Sequence, residues 1–306
     1  MNISEPVLHS VDRFERDHRD RRGGRAVIVA CSSFIATVAT IAALALPAHA
    51  QPADATPYSE KAVAEPFQHD LTAANASIGA SLNTGNTDSM QLNVGAGFQM
   101  VRGHHGVSLN MDFAYGRANL PNDMVDRQVD TVRSMRTRGR YDLFMTPMDA
   151  LFLAGSYRWD PFAGLDARED GQIGYLRNIF KEDKHRLWGE LGYDLTYDNY
   201  DPDPLPDPNN PGHYLKGHAY THSARLFLGY DNQINSAVQL LTGVEGLLNV
   251  EHPKDFRLNW DVALRSAIIG RLQVELKFSM QLDTQPVPGH RDLDMQTRAN
   301  LIYTLI

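Results

Sequence analysis

The side chains best equipped for chemistry lie between residues 200 and 223. His218, Tyr220, His222 and Ser223 follow an acidic, proline-rich run that holds Asp201, Asp203 and Asp207, with His213 between them. A histidine beside a serine is the usual way to activate a hydroxyl nucleophile. In an extended chain, however, adjacent residues point to opposite faces, so His222 and Ser223 diverge. His218 and His222 share a face and offer two imidazoles, but no carboxylate stands at a spacing that would complete a metal site. The three aspartates are separated by prolines that break a calcium-loop spacing, so they read as a solvated acidic loop. His104-His105 reads as a solvated turn. The other concentration of charge is the stripe Arg136-x-Arg138-x-Arg140, which puts three guanidinium groups on one face of a strand and is the best candidate for an anion-attracting wall. We therefore expect no catalytic residues, no metal and no cofactor.

The elements that carry these residues alternate with period two. Leu187, Gly189, Leu191, Tyr193, Leu195 and Tyr197 oppose Trp188, Glu190, Gly192, Asp194, Thr196 and Asp198. Leu272, Val274, Leu276, Phe278, Met280 and Leu282 oppose Gln273, Glu275, Lys277, Ser279, Gln281 and Asp283. Such alternation marks strands with one apolar and one polar face. The segments are about ten residues or longer, close to the ~9–11 that cross a bilayer obliquely. About twelve can be drawn between residue 73 and the end, an even number. Connections after even strands are short, near 103–106, 145–150, 181–186, 231–236 and 268–271. The longer ones, near 118–129, 201–217 and 284–292, follow odd strands. The expected fold is all-β, an antiparallel up-and-down transmembrane β-barrel.

Which face meets lipid follows from what each carries. The polar face holds charged groups in mid-strand, and we assign Arg136, Arg138, Arg140, Glu190, Asp194, Arg225, Glu245, Glu275 and Lys277 to the lumen. Tyr115, Trp159, Tyr197, Tyr230 and Tyr303 stand near strand ends on the apolar face, where an interfacial girdle belongs. The two signs are close to balanced inside, which suits a paired interior network better than a charge-selective channel.

The N-terminal part reads differently. An arginine-rich segment precedes an apolar run from Ala26 to Leu46, and Pro47-Ala48-His49-Ala50 fits a small-x-small cleavage rule. Residues 1–50 are read as a secretory signal, 51–72 as a periplasmic linker and 73–306 as the barrel. The single cysteine, Cys31, falls within the apolar run, so the mature chain has no thiol and no disulfide. The net charge of −8 argues against nucleic acid as a partner.

Several stretches resemble a known family. They are Asn83-Thr84-Gly85-Asn86-Thr87-Asp88, Arg140-Tyr141-Asp142, Tyr157-Arg158-Trp159-Asp160-Pro161-Phe162-Ala163-Gly164-Leu165, Gly174-Tyr175 and Asn300-Leu301-Ile302-Tyr303. Together they look like the salt-induced outer-membrane protein family, domain of unknown function 481, over roughly residues 73–306. Gly85, Asn86, Asp160, Phe162, Gly164 and Leu165 carry the most specific part of the match. The resemblance implies an outer-membrane barrel of unassigned activity, with outer-membrane lipid and the barrel-assembly machinery as partners and no family catalytic residues. The family usually ends on an aromatic residue; here Leu305 stands in that place and Ile306 follows. The functional expectation is an envelope component or small-solute pore linked to osmotic or salt response. Two alternatives are a lipid-modifying enzyme at the rim and a surface-binding module that uses the 201–217 loop.

Overall fold

A chain that alternates apolar and polar residues makes sheets with one greasy face, which must be packed in a core or turned toward lipid. The computed structural model describes residues 70–83, 88–120, 127–161, 165–200, 217–286 and 292–306. The proposed signal and most of the linker, Gly85, Asn86, Phe162, Gly164 and nearly all of the 201–217 loop lie outside these residues.

Among the described residues twelve strands form one closed antiparallel barrel. They are β1 (Leu71–Asn83), β2 (Asp88–Arg102), β3 (His105–Leu120), β4 (Arg127–Phe144), β5 (Asp149–Asp160) and β6 (Leu165–Lys181). They continue as β7 (His185–Tyr200), β8 (His218–Gln233), β9 (Val238–Asn249), β10 (Phe256–Ile269), β11 (Leu272–Asp283) and β12 (Leu293–Thr304). Each strand pairs with its neighbours in sequence, and β1 pairs with β12 to complete the wall. Among the described residues no helix is long and apolar enough to cross a membrane.

The strand ends segregate in the same way. Segments 103–104, 145–148, 182–184, 234–237 and 270–271 lie at one end, and the even-numbered strands begin at the other, where 250–255 lies. The short turns are tighter than the sequence patterns suggest. His105, Asp149, His185 and Ile269 all belong to strands, because the backbone ladder continues to the turn whatever the side chain. Gly103 and Gly270 have φ near +56° and +55°, a conformation that a two-residue hairpin turn requires and that a Cβ would oppose.

The outer surface is greasy. Leu191, Ile173, Leu226 and Leu153 are 63%, 59%, 59% and 58% exposed, while the charged residues between them in sequence are buried inside. Folding has turned the barrel's apolar face outward, which suits a hydrocarbon solvent and no other. A charge placed on that face at mid-height meets acyl chains. Leu191→Arg should therefore cost about 2–4 kcal/mol of barrel stability. Urea titration in lipid vesicles, read as loss of the compact gel species, measures it, and a change below a few tenths would contradict a lipid-facing position.

The register shows a pronounced stagger. From Ser77 on β1 the paired positions run through Gly95, Asp112, Arg136, Arg158, Arg168 and Asp198 to Ala219, almost at the long-loop end of β8. Closing a barrel demands this shear. Residues at one height therefore come from positions that the ladder does not pair, and this decides which inward side chains meet.

Candidate functional site

The interior divides into two unlike halves. On the side of β4 to β10 it is filled. Glu190 on β7 accepts from Arg140 Nη1 of β4 at 2.9 Å and from Arg225 Nη1 of β8 at 2.7 Å. Arg140 also grips Asp142 through Nε at 3.0 Å and Nη2 at 2.8 Å. Arg225 Nε donates to Glu245 at 2.6 Å, and Asn259 Nδ2 donates to the other oxygen of that carboxylate at 3.1 Å. The chain Asp142–Arg140–Glu190–Arg225–Glu245 thus spans the lumen from β4 to β9, bypassing β5 and β6. Glu190 and Arg225 are 1% and 2% exposed. Phe152 lies between the two arginines, its ring centroid 4.3 Å from the Arg140 guanidinium carbon and 5.3 Å from that of Arg225. Cation–π attraction adds to the ion pairs where water is excluded.

Nearer the short-turn end an apolar layer sits inside the barrel. Val101, Phe144, Ala150, Leu176, Trp188, Phe227, Leu241 and Ala263 form it, and all are at most 3% exposed. Trp188 lies across Gly229 of β8, where an added Cβ would stand 2.2 Å from Trp188 Cζ2, so only glycine admits the indole. Arg186 stacks its guanidinium 4.2 Å from the Trp188 ring and donates from Nε to Asn178 at 2.7 Å.

Toward the long-loop end, polar groups continue the filling. Arg138 Nη2 donates to Gln172 at 2.8 Å, Gln172 Nε2 to Asp194 at 2.8 Å, and Arg257 Nη2 to Thr196 at 3.0 Å. Arg168 holds Asp198 through two bonds of 2.6 and 2.8 Å, and Arg158 holds Asp160 at 2.8 Å. On the next strands Arg265 Nε meets Glu275 at 2.6 Å and Lys277 Nζ lies 3.6 Å from Asp261.

The other half, centred on β1 to β3, carries mostly short polar side chains instead. Asn75, Ser77, Gly79, Gly95, Gly97, Ser108, Asn110 and Asp112 face inward, opposite outward Ile78, Val94, Leu109 and Met111. Asn75 and Asp112 are exposed although they face into a closed wall, and Ser77 and Asn110 are partly so. An inward residue reaches solvent only where the lumen has room for it.

The residues assigned to the lumen from sequence all stand on the inner face. The structure joins Arg140, Glu190, Arg225 and Glu245 into one network and sets Arg138 with Asp194 around Gln172. Glu275 and Lys277 belong to a separate group on β10 and β11. The arginine stripe is no free cationic wall. Arg140 is consumed by Asp142 and Glu190, Arg138 is 6% exposed, and Arg136 stands opposite Asp112 in the ladder. Asp160 is the acceptor for Arg158, and Leu165 is buried at the first position of β6. His222 and Ser223 diverge: His222 shares a hydrogen bond with Tyr193 on the outer face, while Ser223 is buried within. His218 packs beside Tyr197 and Tyr220, also outside. Among the described residues no three His, Cys, Asp or Glu gather at metal distance.

The apolar inner layer went unassigned in the sequence. Trp188 and Phe227 did signal it, as large apolar residues on the polar face of otherwise regular strands.

Three solved structures show a distant likeness to the chain. The translocator domain of autotransporter NalP from Neisseria meningitidis matches with 14% identity over 76% of this chain and 86% of that one, at a TM-score of 0.39. A NanC porin structure matches with 8% identity over 76% and 100%, at 0.44. The COG4313 outer membrane channel from Pseudomonas putida F1 matches with 11% identity over 78% and 98%, at 0.43. Likenesses this distant say nothing about activity. No curated protein matches the chain. Affiliation comes instead from the sequence of the barrel itself: residues 76–305 match the family described as protein of unknown function, DUF481, and the chain belongs to that family.

Proposed function

We propose that the protein is an outer-membrane β-barrel whose polar half-lumen is a narrow, off-centre path for small solutes. The outward apolar band and the even strand number support the membrane setting. Short connections at one end and longer ones at the other support an orientation with the 103–104 and 270–271 turns in the periplasm and the 201–217 loop outside. The observation that carries the solute path is the exposure of inward-facing Asn75 and Asp112, against the near-complete burial of Arg225 and Glu190 across the lumen.

A barrel with half its section filled should conduct weakly, and its charges are largely paired, so selectivity should be slight. Purified protein in planar bilayers is expected to give discrete steps smaller than those of an open twelve-strand barrel. Asp112→Asn, which removes an exposed carboxylate from that path, should shift the reversal potential toward anions. Insertion without any conductance steps would reduce the protein to an envelope component.

A further inference from the structure

The wall is not closed equally all round. Neighbouring strands elsewhere pair along most of their length, as β2 and β3 do from Asp88↔Asn119 to Arg102↔His105. The β1–β12 ladder holds only five pairs, from Asn75↔Thr304 to Gly79↔Asn300. Below these pairs the joint is secured by Leu305 N donating to Ala74 O at 2.8 Å. Above them, Ala80–Asn83 of β1 and Gln296–Ala299 of β12 would be the next partners in register, and among the described residues they do not pair. Unpaired strand edges at bilayer depth leave N–H and C=O groups that hydrocarbon cannot satisfy.

The last formed pair looks like a latch. The Asn300 side chain lies across Gly79, where a Cβ would meet Asn300 Oδ1 at 2.0 Å, and Asn300 Nδ2 donates to Glu275 at 3.1 Å. Immediately beyond it, on the inner face of β11 and β12, polar atoms stand buried without partners. They are Gln296 Oε1, Ser279 Oγ and Arg298 Nε, with Gln296 8% and Ser279 1% exposed. Ser279 and Gln296 are paired positions. Through the β1–β12 joint these strands neighbour β1 to β3, whose inward Asn75 and Asp112 reach solvent.

We infer that the β1–β12 seam is a lateral entry, through which an uncharged, polyhydroxylated headgroup on an acyl chain passes from the membrane into the polar half-lumen. The inference rests on the membrane-barrel reading above. The chemistry of the headgroup follows from the orphan atoms. Gln296 Oε1 needs a donor, Arg298 Nε–H needs an acceptor, and Ser279 Oγ takes either. Hydroxyl groups supply both functions, and the unpaired backbone edges ask for the same mixture. The acyl chain stays in the bilayer beside outward Ala80 and Ala299.

The test uses a single-chain glucoside with a photoreactive diazirine on the sugar, mixed into vesicles that hold the full barrel. The variant pair Ala80→Cys and Ala299→Cys, in a Cys31→Ser background, places a reducible staple at the first unpaired register step. In the wild type and the reduced variant, labelling should concentrate on the β1, β11 and β12 peptides that carry Ser77, Ser279 and Gln296. Oxidation should lower that labelling at least tenfold and leave ion conductance unchanged. Labelling equal in the stapled and reduced forms, or confined to outward residues, overturns the proposal. Conductance is read on the same samples, so a silent barrel that still shows staple-sensitive labelling would refute the solute path and spare the seam. Gln296→Leu, which removes one orphan acceptor without touching the staple, should weaken labelling as well; an undiminished signal counts against the site.

Discussion

Replacing Arg225 by methionine is expected to cost about 3–5 kcal/mol of barrel stability, the loss typical when one partner of a buried ion cluster is removed. The reason lies in how many acids depend on this residue. Arg225 answers both Glu190 and Glu245, at 2.7 and 2.6 Å, and is 2% exposed. Without it, Glu190 keeps one direct ion pair, to Arg140, which also holds Asp142, and Glu245 loses its direct ion pair and keeps the Asn259 amide. Methionine keeps much of the side-chain volume, so the loss reports charge more than packing. Urea unfolding in vesicles, followed by the gel shift between compact and extended species, gives the difference. Restoring balance by adding Glu190→Gln and Glu245→Gln should recover most of it, because the charges that remain, Arg140 and Asp142, answer each other. A single variant as stable as the wild type would mean that water reaches the cluster, and the filled half-lumen would then be wrong.

Trp188→Ala should have an effect of similar size through a different cause. Emptying a buried aromatic site costs about 3–5 kcal/mol, part transfer energy and part cavity. Trp188 is 3% exposed, packs on Phe227 with ring centroids 5.9 Å apart, and bears the Arg186 guanidinium on its face. Its loss also opens the apolar layer near the short-turn end, so conductance steps should grow even as stability falls. An unchanged step size alongside lost stability would show that this layer does not limit passage. Gly229→Val is the converse change, since it pushes a side chain into the space that the indole occupies.

How much of this was legible before the structure differs by level. Alternation along Leu187–Asp198 and Leu272–Asp283 marks faces well, because period two is a local property of an extended chain. It says nothing about height. Arg140 and Glu190 lie on strands separated by two others and meet only because the barrel's stagger brings them level, and no local pattern encodes that. Phe152 shows the same limit: its neighbours indicate an inward side chain, but its place between two guanidinium groups depends on Arg225, contributed three strands later. The split of the lumen was written in residue size rather than in polarity. Gly79, Ser77, Gly95 and Gly97 on one side and Arg140, Trp188, Arg225 and Phe227 on the other fall into separate stretches of the chain. Reading volume as well as hydropathy along the inner face would have found it.

The brevity of the β1–β12 ladder also bears on the order of assembly. Eleven of the twelve joints bring together strands that are neighbours in sequence, and each can zip from its own turn. The twelfth must bring residues 75 and 304 together, so it alone encloses nearly the whole barrel. Loop-closure entropy makes such a long-range step the slowest to gain from its contacts. With so few pairs as its reward, this joint is the last to form, and an unfinished barrel waits as a curved sheet with two free edges.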